Sequence, residues 1–262
     1  MTFKERVAVV TGASSGIGAA VALELARRGA HVVAVARRRD RLAETVERCR
    51  AHSPESFAHA ADVSSREACT EVVDAAEARF GRVDILVNNA GVSVHKHAIH
   101  TSGDDVERVM AVNFFAAVHL TMAALPGMLE RAAGSIVNVT SVAGYVPNPR
   151  ESAYGASKAA LSRWSHGLAV DLHGTGVHVG VLSPGPIDTE IWSLDEEVSY
   201  RGRLHRPEVV ATSVARMIQR GFPHQTVPRR YGVVGALYPL LGRPMRWGMR
   251  RYEARTERER QG

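Results

Sequence analysis

Short apolar runs alternate with longer amphipathic stretches along most of the chain. Residues 7–10 form a continuous apolar run, as expected of a strand covered on both faces. Residues 16–28 follow with helical spacing that stops at Gly29. The same alternation then repeats. Further strands are predicted at 31–36, near 57–61, at 83–87, at 135–140 and at 177–182. Helices are predicted at 40–50, where Leu42 and Val46 stand at i and i+4, at about 65–80 closed by Gly81, and at 153–172. One long helix is predicted at 104–131, bent at Pro126. Strand then helix, repeated six times, predicts one α/β domain. Its six or seven strands would form a doubly wound parallel sheet with helices on both faces.

Past Thr189 the pattern fails, and 190–206 reads as a loop. Pro207 suits the first position of a helix reaching about Arg220, with Glu208 at its positive end. Beyond Gly221, the prolines Pro223, Pro228, Pro239 and Pro244 are expected to forbid long regular structure until a terminal helix. The expected organisation is a single domain over 1–242 with a C-terminal helical extension over 243–262.

Composition narrows the function classes. The chain has 262 residues, 45% of them hydrophobic, enough for a sizeable core. Two cysteines, Cys49 and Cys69, do not make a disulfide scaffold and fit a reducing, cytoplasmic setting. The uncharged stretch 7–23 is broken by Gly12, Gly16 and Gly18, unlike a membrane span or signal peptide. The formal charge of +6 suggests an anionic partner, yet it is local. Arg37, Arg38, Arg39 and Arg41 stand with only Asp40, and residues 243–262 hold seven arginines against three glutamates. The remainder is close to neutral, so a nucleic-acid-binding face is not expected.

The chemistry concentrates at the ends of the predicted strands. Thr11-Gly12-Ala13-Ser14-Ser15-Gly16-Ile17-Gly18 joins the first strand to the first helix. Glycines there let the backbone approach a phosphate, while the helix N-terminus supplies free N–H groups. Asp62-Val63 follows the third strand, Asn88-Asn89-Ala90-Gly91 the fourth, and Ser141 the fifth. Asn113 lies in the long helix, Tyr154 and Lys158 share one face of the next, and Pro184-Gly185 ends the sixth strand. In this order and spacing the chain resembles the short-chain dehydrogenase/reductase family, compact type, from about residue 4 to 220.

The resemblance implies a Rossmann-type fold, a nicotinamide dinucleotide and an oxidoreductase. It implies that Gly12, Ser14, Ser15, Gly16, Ile17 and Gly18 form the cofactor loop and that Asp62 and Val63 hold the adenine. Asn89, Ala90 and Gly91 would line the adenosine ribose. Pro184, Gly185, Ile187 and Thr189 would lie over the nicotinamide, with Tyr154 and Lys158 also touching the cofactor. Asn113 would hold the water of a proton relay. A homodimer or homotetramer formed through the two long helices is implied as well.

Two further readings rest on residue chemistry. The second strand ends in Ala36-Arg37-Arg38, without the carboxylate that favours NAD ribose. Guanidinium groups match a 2′-phosphate, so Arg37 and Arg38 predict NADP(H) over NAD(H). A carbonyl reduction needs a proton donor, and a phenol needs a cation nearby to release its proton near neutrality. Tyr154 is the candidate acid and Lys158 the cation, one of three lysines among 33 basic side chains. Ser141 would hydrogen-bond the substrate oxygen.

Ser93, His95, Val142, Tyr145, Val146, Ile191, Trp192 and Tyr200 are the candidate substrate wall, mostly apolar and aromatic. They point to a lipophilic ketone, aldehyde or secondary alcohol. His95, His97 and His100 lack the neighbours of a metal site, and no metal is expected. Met245, Met249 and Tyr252 at i, i+4 and i+7 beside Arg246, Arg250 and Arg251 make the tail a basic amphipathic helix. Its expected roles, in order, are covering the substrate site, docking on a second subunit, and peripheral contact with an anionic membrane. A 3-ketoacyl-carrier-protein reductase and a non-catalytic NADP(H) sensor are the rival readings.

Overall fold

The computed structural model describes residues 2–190 and 203–261. Seven strands form one parallel sheet in the order β3-β2-β1-β4-β5-β6-β7. They are β1 (Val7–Thr11), β2 (His31–Ala36), β3 (Phe57–Ala60), β4 (Ile85–Asn88), β5 (Gly134–Val139), β6 (Val177–Pro184) and β7 (His224–Val227). In the central strands nearly every side chain is buried, because helices cover both faces. On one face Val21, Leu25, Leu42 and Val214 from α1 (Gly16–Arg27), α2 (Arg39–Arg50) and α7 (Pro207–Arg220) pack on Val10 and Val87. On the other, Val72, Leu120, Met128 and Leu168 from α3 (Arg66–Phe80), α5 (Ala116–Glu130) and α6 (Ser152–Asp171) pack on Val9 and Leu86. The strand order reverses between β1 and β4. Ligands of open α/β sheets bind in the crevice at the carboxyl ends of such a pair.

Two expectations are corrected. The helical run from α4 (Gly103–Met110) to α5 leaves α geometry at Ala111–Phe115, where one π turn centres on Asn113. Pro126 lies within α5 without ending it. Met122, one turn earlier, is half-exposed, so solvent can serve the carbonyl that Pro126 leaves without a donor.

The second correction concerns the segment after Gly221. Its prolines do not forbid regular structure: β7 pairs in parallel with β6, and α8 runs unbroken over Arg230–Gln261. Pro223 and Pro228 flank an edge strand, a position where a missing N–H is tolerated. Leu240, one turn before Pro244, is highly exposed, so the carbonyl freed there also meets solvent. Helix α8 thus crosses the boundary expected at residue 243. It packs on β7 and on the 3-10 turn at Val142–Gly144.

Candidate active site

The loops after β1, β2, β4, β5 and β6 enclose a cavity of about 1000 Å³. Its size is at the upper end of ligand sites, which run to ~1,000 Å³. Gly12 and Gly16 hold φ of +67° and +53°, a conformation that side chains disfavour. A Cβ on Gly18 would stand 2.2 Å from the Gly12 carbonyl oxygen and 2.6 Å from Asn89 Nδ2. Gly18 therefore shapes the loop from behind, while Gly12, Ser14, Ser15, Gly16 and Ile17 line the cavity. Thr11 ties the first two loops together: its hydroxyl accepts from the N–H groups of Asn89 and Ala90, each at 3.0 Å. Ser15 makes no side-chain capping bond, so the first-turn N–H groups of α1 remain available to an anion.

At the end of β2, basic side chains gather. Arg38 donates to Ser14 Oγ at 3.2 Å, Ser15 Oγ at 2.8 Å and Glu190 Oε2 at 2.7 Å. Arg41 pairs with the same Glu190 carboxylate. Hydrogen bonds from Arg38 lead the influences holding that carboxyl below its ordinary range. Arg37 lies 3.8 Å from Asp62, which also lines the cavity with Val63. Burial opposes ionisation of Asp62, but bonds from Ser64 and the charge of Arg37 outweigh it and hold its carboxyl below the usual value. Arg41 belongs to the basic cluster read from the sequence, whereas its partner Glu190 is missing from that reading. No spacing rule ties residue 190 to residues 38 and 41.

The loop after β4 supplies Asn89, Ala90 and Gly91, and the one after β5 supplies Ser141. Ser141 opens the 3-10 turn, its oxygen accepting from Ala143 N at 3.1 Å, and hydrogen-bonds the Tyr154 hydroxyl. Desolvation is the main cause raising the Tyr154 phenol above its ordinary pKa, with the Glu151 charge adding to it and Ser141 pulling the other way. Lys158 is buried, donates to the Val139 carbonyl at 3.0 Å and stands 5.9 Å from the Tyr154 ring centre. Burial brings its ammonium down to about 8.

Asn113 does not face the cavity. It sits behind Gly91, bonding Val92 N at 2.8 Å and Val92 O at 2.9 Å and donating to Ser157 Oγ at 2.9 Å. Ser157 in turn donates to the Tyr154 carbonyl at 2.7 Å. A Cβ on Gly91 would meet Asn113 Oδ1 at 3.4 Å and Lys158 Nζ at 3.5 Å, ordinary contact distances that place Gly91 beside both side chains. Pro184, Gly185, Ile187 and Thr189 line the cavity from β6. Their loop is braced by Val227, which accepts from Gly185 N at 2.8 Å, and by a bridge between Ile187 and His205.

On the substrate side, Ser93, His95, Val142 and Val146 line the cavity as expected. Tyr145 does not. Its hydroxyl reaches Ser183 Oγ at 2.8 Å and Ser162 Oγ at 3.1 Å, which draws the ring into a second cavity of about 600 Å³ beside His224. Ile191, Trp192 and Tyr200 lie outside the described residues. Glu151 is another residue that sequence reading missed: buried, 3.1 Å from His95 Nε2 and accepting from Asn148 at 2.8 Å. Its position three residues before Tyr154, on the same helix face, was the available signal. Tyr231, Val234, Met245 and Met249 of α8 close the far wall. The expectation that the C-terminal helix covers this site therefore holds for Met245 and Met249.

Comparison with known proteins agrees with this architecture. The family described as short chain dehydrogenase matches residues 6–198. A short chain dehydrogenase of Pseudocercospora fijiensis is 39% identical over 197 residues, 74% of this chain and 63% of that protein. The chain thus spans somewhat under two thirds of that relative. The 11-beta-hydroxysteroid dehydrogenase A of Sesamum indicum is 38% identical over 87% of this chain and 70% of its own length. Among solved structures, a short chain dehydrogenase/reductase from Burkholderia phymatum in complex with NAD aligns with a TM-score of 0.85 at 29% identity. That alignment covers 92% of this chain and 95% of the other.

Proposed function

The chain belongs to the short-chain dehydrogenase family, oxidoreductases that act on alcohols and carbonyls with a nicotinamide cofactor, and we propose that it interconverts a lipophilic ketone or aldehyde and its alcohol using NADP(H). One observation carries the reaction type: Ser141 and Tyr154 share a hydrogen bond in a cavity that also holds the glycine loop, with buried Lys158 behind the phenol. The uncapped N-terminus of α1 and the glycine loop that lines the cavity beside it fit a bound dinucleotide, whose chemistry is to supply or accept hydride. Gly12, Ser14, Ser15, Gly16, Asn89 and Ala90 would hold it. Ser141 would orient the substrate oxygen, and Tyr154 would give its proton to that oxygen. Lys158 would stabilise the phenolate left behind. Asn113 would keep the loop at Val92 and the Lys158 pocket in register.

For the cofactor, Arg38 and Arg41 already pair with one carboxylate while Arg38 also donates to Ser14 and Ser15, an arrangement that suits a phosphate dianion equally well. Hydrogen bonds to charged groups contribute about 1.5–3 kcal/mol each. Both guanidinium groups are about half exposed and screened by solvent, so the double variant Arg37→Ala/Arg38→Ala is expected to lose about one such bond's worth, raising KM for NADPH about 10- to 100-fold and leaving KM for NADH nearly unchanged. Parallel steady-state assays on both cofactors measure this. Equal effects on the two would remove the phosphate reading.

The cavity wall of Val142, Val146, Val234, Met245 and Met249 supports a lipophilic substrate over a sugar or an acid. A carbonyl panel followed by NADPH absorbance, with NADH alongside, tests the whole proposal. Activity confined to polyols or acids would overturn its substrate half. Glu151 adds a pH signature. Glu151→Gln removes the charge that helps raise the Tyr154 phenol, so phenolate forms at lower pH. Alcohol oxidation needs that phenolate, and the rising limb of its kcat/KM profile should move to lower pH. An unmoved limb would mean that Glu151 does not act on Tyr154.

Phe115 and Met122 on the π turn and α5, with Val170 on α6, present apolar side chains to the outside. They are the faces we propose for a homo-oligomer. The buried free thiols Cys49 and Cys69 suit a cytoplasmic setting.

A further inference from the structure

Helix α8 has two apolar sides. Its inner side is spent within the chain: Tyr231 lies over Gly185, Gly235 faces Tyr145, and Met245 and Met249 reach the cavity. The opposite arc carries Val233, Leu237, Leu240, Leu241 and Trp247, at i, i+4, i+7, i+8 and i+14, which lie in one stripe on a helix. Every one of them is exposed, Leu240 to 80% and Trp247 to 60%. Arg243, Arg246 and Arg250 run along one edge of the stripe, and the Arg251 guanidinium stands 4.7 Å from the Trp247 ring centre. Between Arg230 and Arg251 the helix holds five arginines and no acidic residue.

A continuous exposed apolar stripe of this kind marks a docking face. The charges decide what docks. A second copy laid on this face would bring arginines against arginines with no carboxylate in the stripe to pair with them. A lipid surface bearing anionic headgroups satisfies both halves at once. Leucines and valine enter the acyl boundary, tryptophan sits at the interface, and arginines extend to the phosphates. We infer that α8 lies in the plane of an anionic membrane surface, its Val233–Trp247 stripe inserted and its other side still closing the cavity.

Sedimentation of the full chain with vesicles tests this. Binding is expected to mixed phosphatidylcholine–phosphatidylglycerol vesicles, at least about tenfold weaker to phosphatidylcholine alone, and weakened by added salt. Leu240→Glu/Trp247→Glu should reduce binding to mixed vesicles about tenfold or more with an unchanged melting temperature. Arg243→Gln/Arg246→Gln/Arg250→Gln should remove the preference for anionic lipid while sparing residual binding to phosphatidylcholine. Failure of the wild-type chain to sediment with mixed vesicles overturns the inference. So does a solution mass, measured by light scattering, that drops on Leu240→Glu, since the stripe would then belong to a second copy.

Discussion

Tyr154→Phe is expected to lower turnover of a ketone about 10²- to 10⁴-fold, the range of a single positioned general acid. The substitution removes one hydroxyl and keeps the ring. Ser141 would lose its partner but still accept from Ala143 N, so the turn at Val142–Gly144 should persist. Tyr154 is held from behind by helix α6 and by Ser157, which bonds its backbone and not its phenol. Packing therefore gives no reason for the variant to unfold. Cofactor affinity, read by quenching of protein fluorescence on NADPH addition, should change by less than about threefold, because the phosphate-facing loop and the arginine cluster are distant in sequence and unaltered. The expected split is lost kcat with retained binding. Turnover within a factor of a few of wild type would remove Tyr154 from the reaction. Turnover lost together with cofactor binding would make the residue structural.

What was legible beforehand follows from how each element is buried. The inner strands are covered on both faces, so their sequences are continuous apolar runs, and β2 falls at His31–Ala36 as read. Helix α7 is legible at Pro207–Arg220 because proline and glycine mark both of its ends. Strand β7 is half-exposed, with His224, Gln225 and Thr226 in four residues, and offers neither an apolar run nor a clean alternation. Helix α8 defeats periodicity for a different reason. Its inner and outer arcs are both apolar, and two prolines stand where a helix reading would require none.

The site divides the same way. Its glycine loop, Ser141, Tyr154 and Lys158 are short-range motifs tied to strand ends, and the fold brings them into one cavity. Arg41 with Glu190, and Tyr231 with Gly185, are meetings across long stretches of chain that only topology creates. Tyr145 lay in the right loop but turned away, because Ser162 and Ser183 offered its hydroxyl buried partners. Asn113 lies in the predicted long helix, and the family resemblance gives it the water of a proton relay. The π turn places it inside, facing Val92 and Ser157.

Lys158→Met should reduce ketone turnover about 10²-fold or more and should also change its dependence on pH. The side chain is 3% exposed, and burial brings its ammonium down to about 8, within reach of an ordinary assay. Below that value the lysine is a cation about one helical turn from the phenol, and a cation so placed favours the phenolate. As pH rises through 8 the cation is lost, the phenolate is left unsupported, and the reductive kcat should fall. The methionine variant carries no such group. Its kcat should be low throughout and lack the decline near pH 8, whereas a limb set only by Tyr154 would survive the substitution. Methionine matches the lysine stem in length and apolar character, so the variant keeps the packing and loses the bond to Val139 O. Lys158→Arg separates charge from shape: the guanidinium is a rigid planar fork, bulkier than the ammonium that the buried pocket holds against the Val139 carbonyl. It should fail to restore turnover. Full rescue by arginine would show that any nearby positive charge suffices and that the buried, pKa-shifted ammonium has no special part in the reaction.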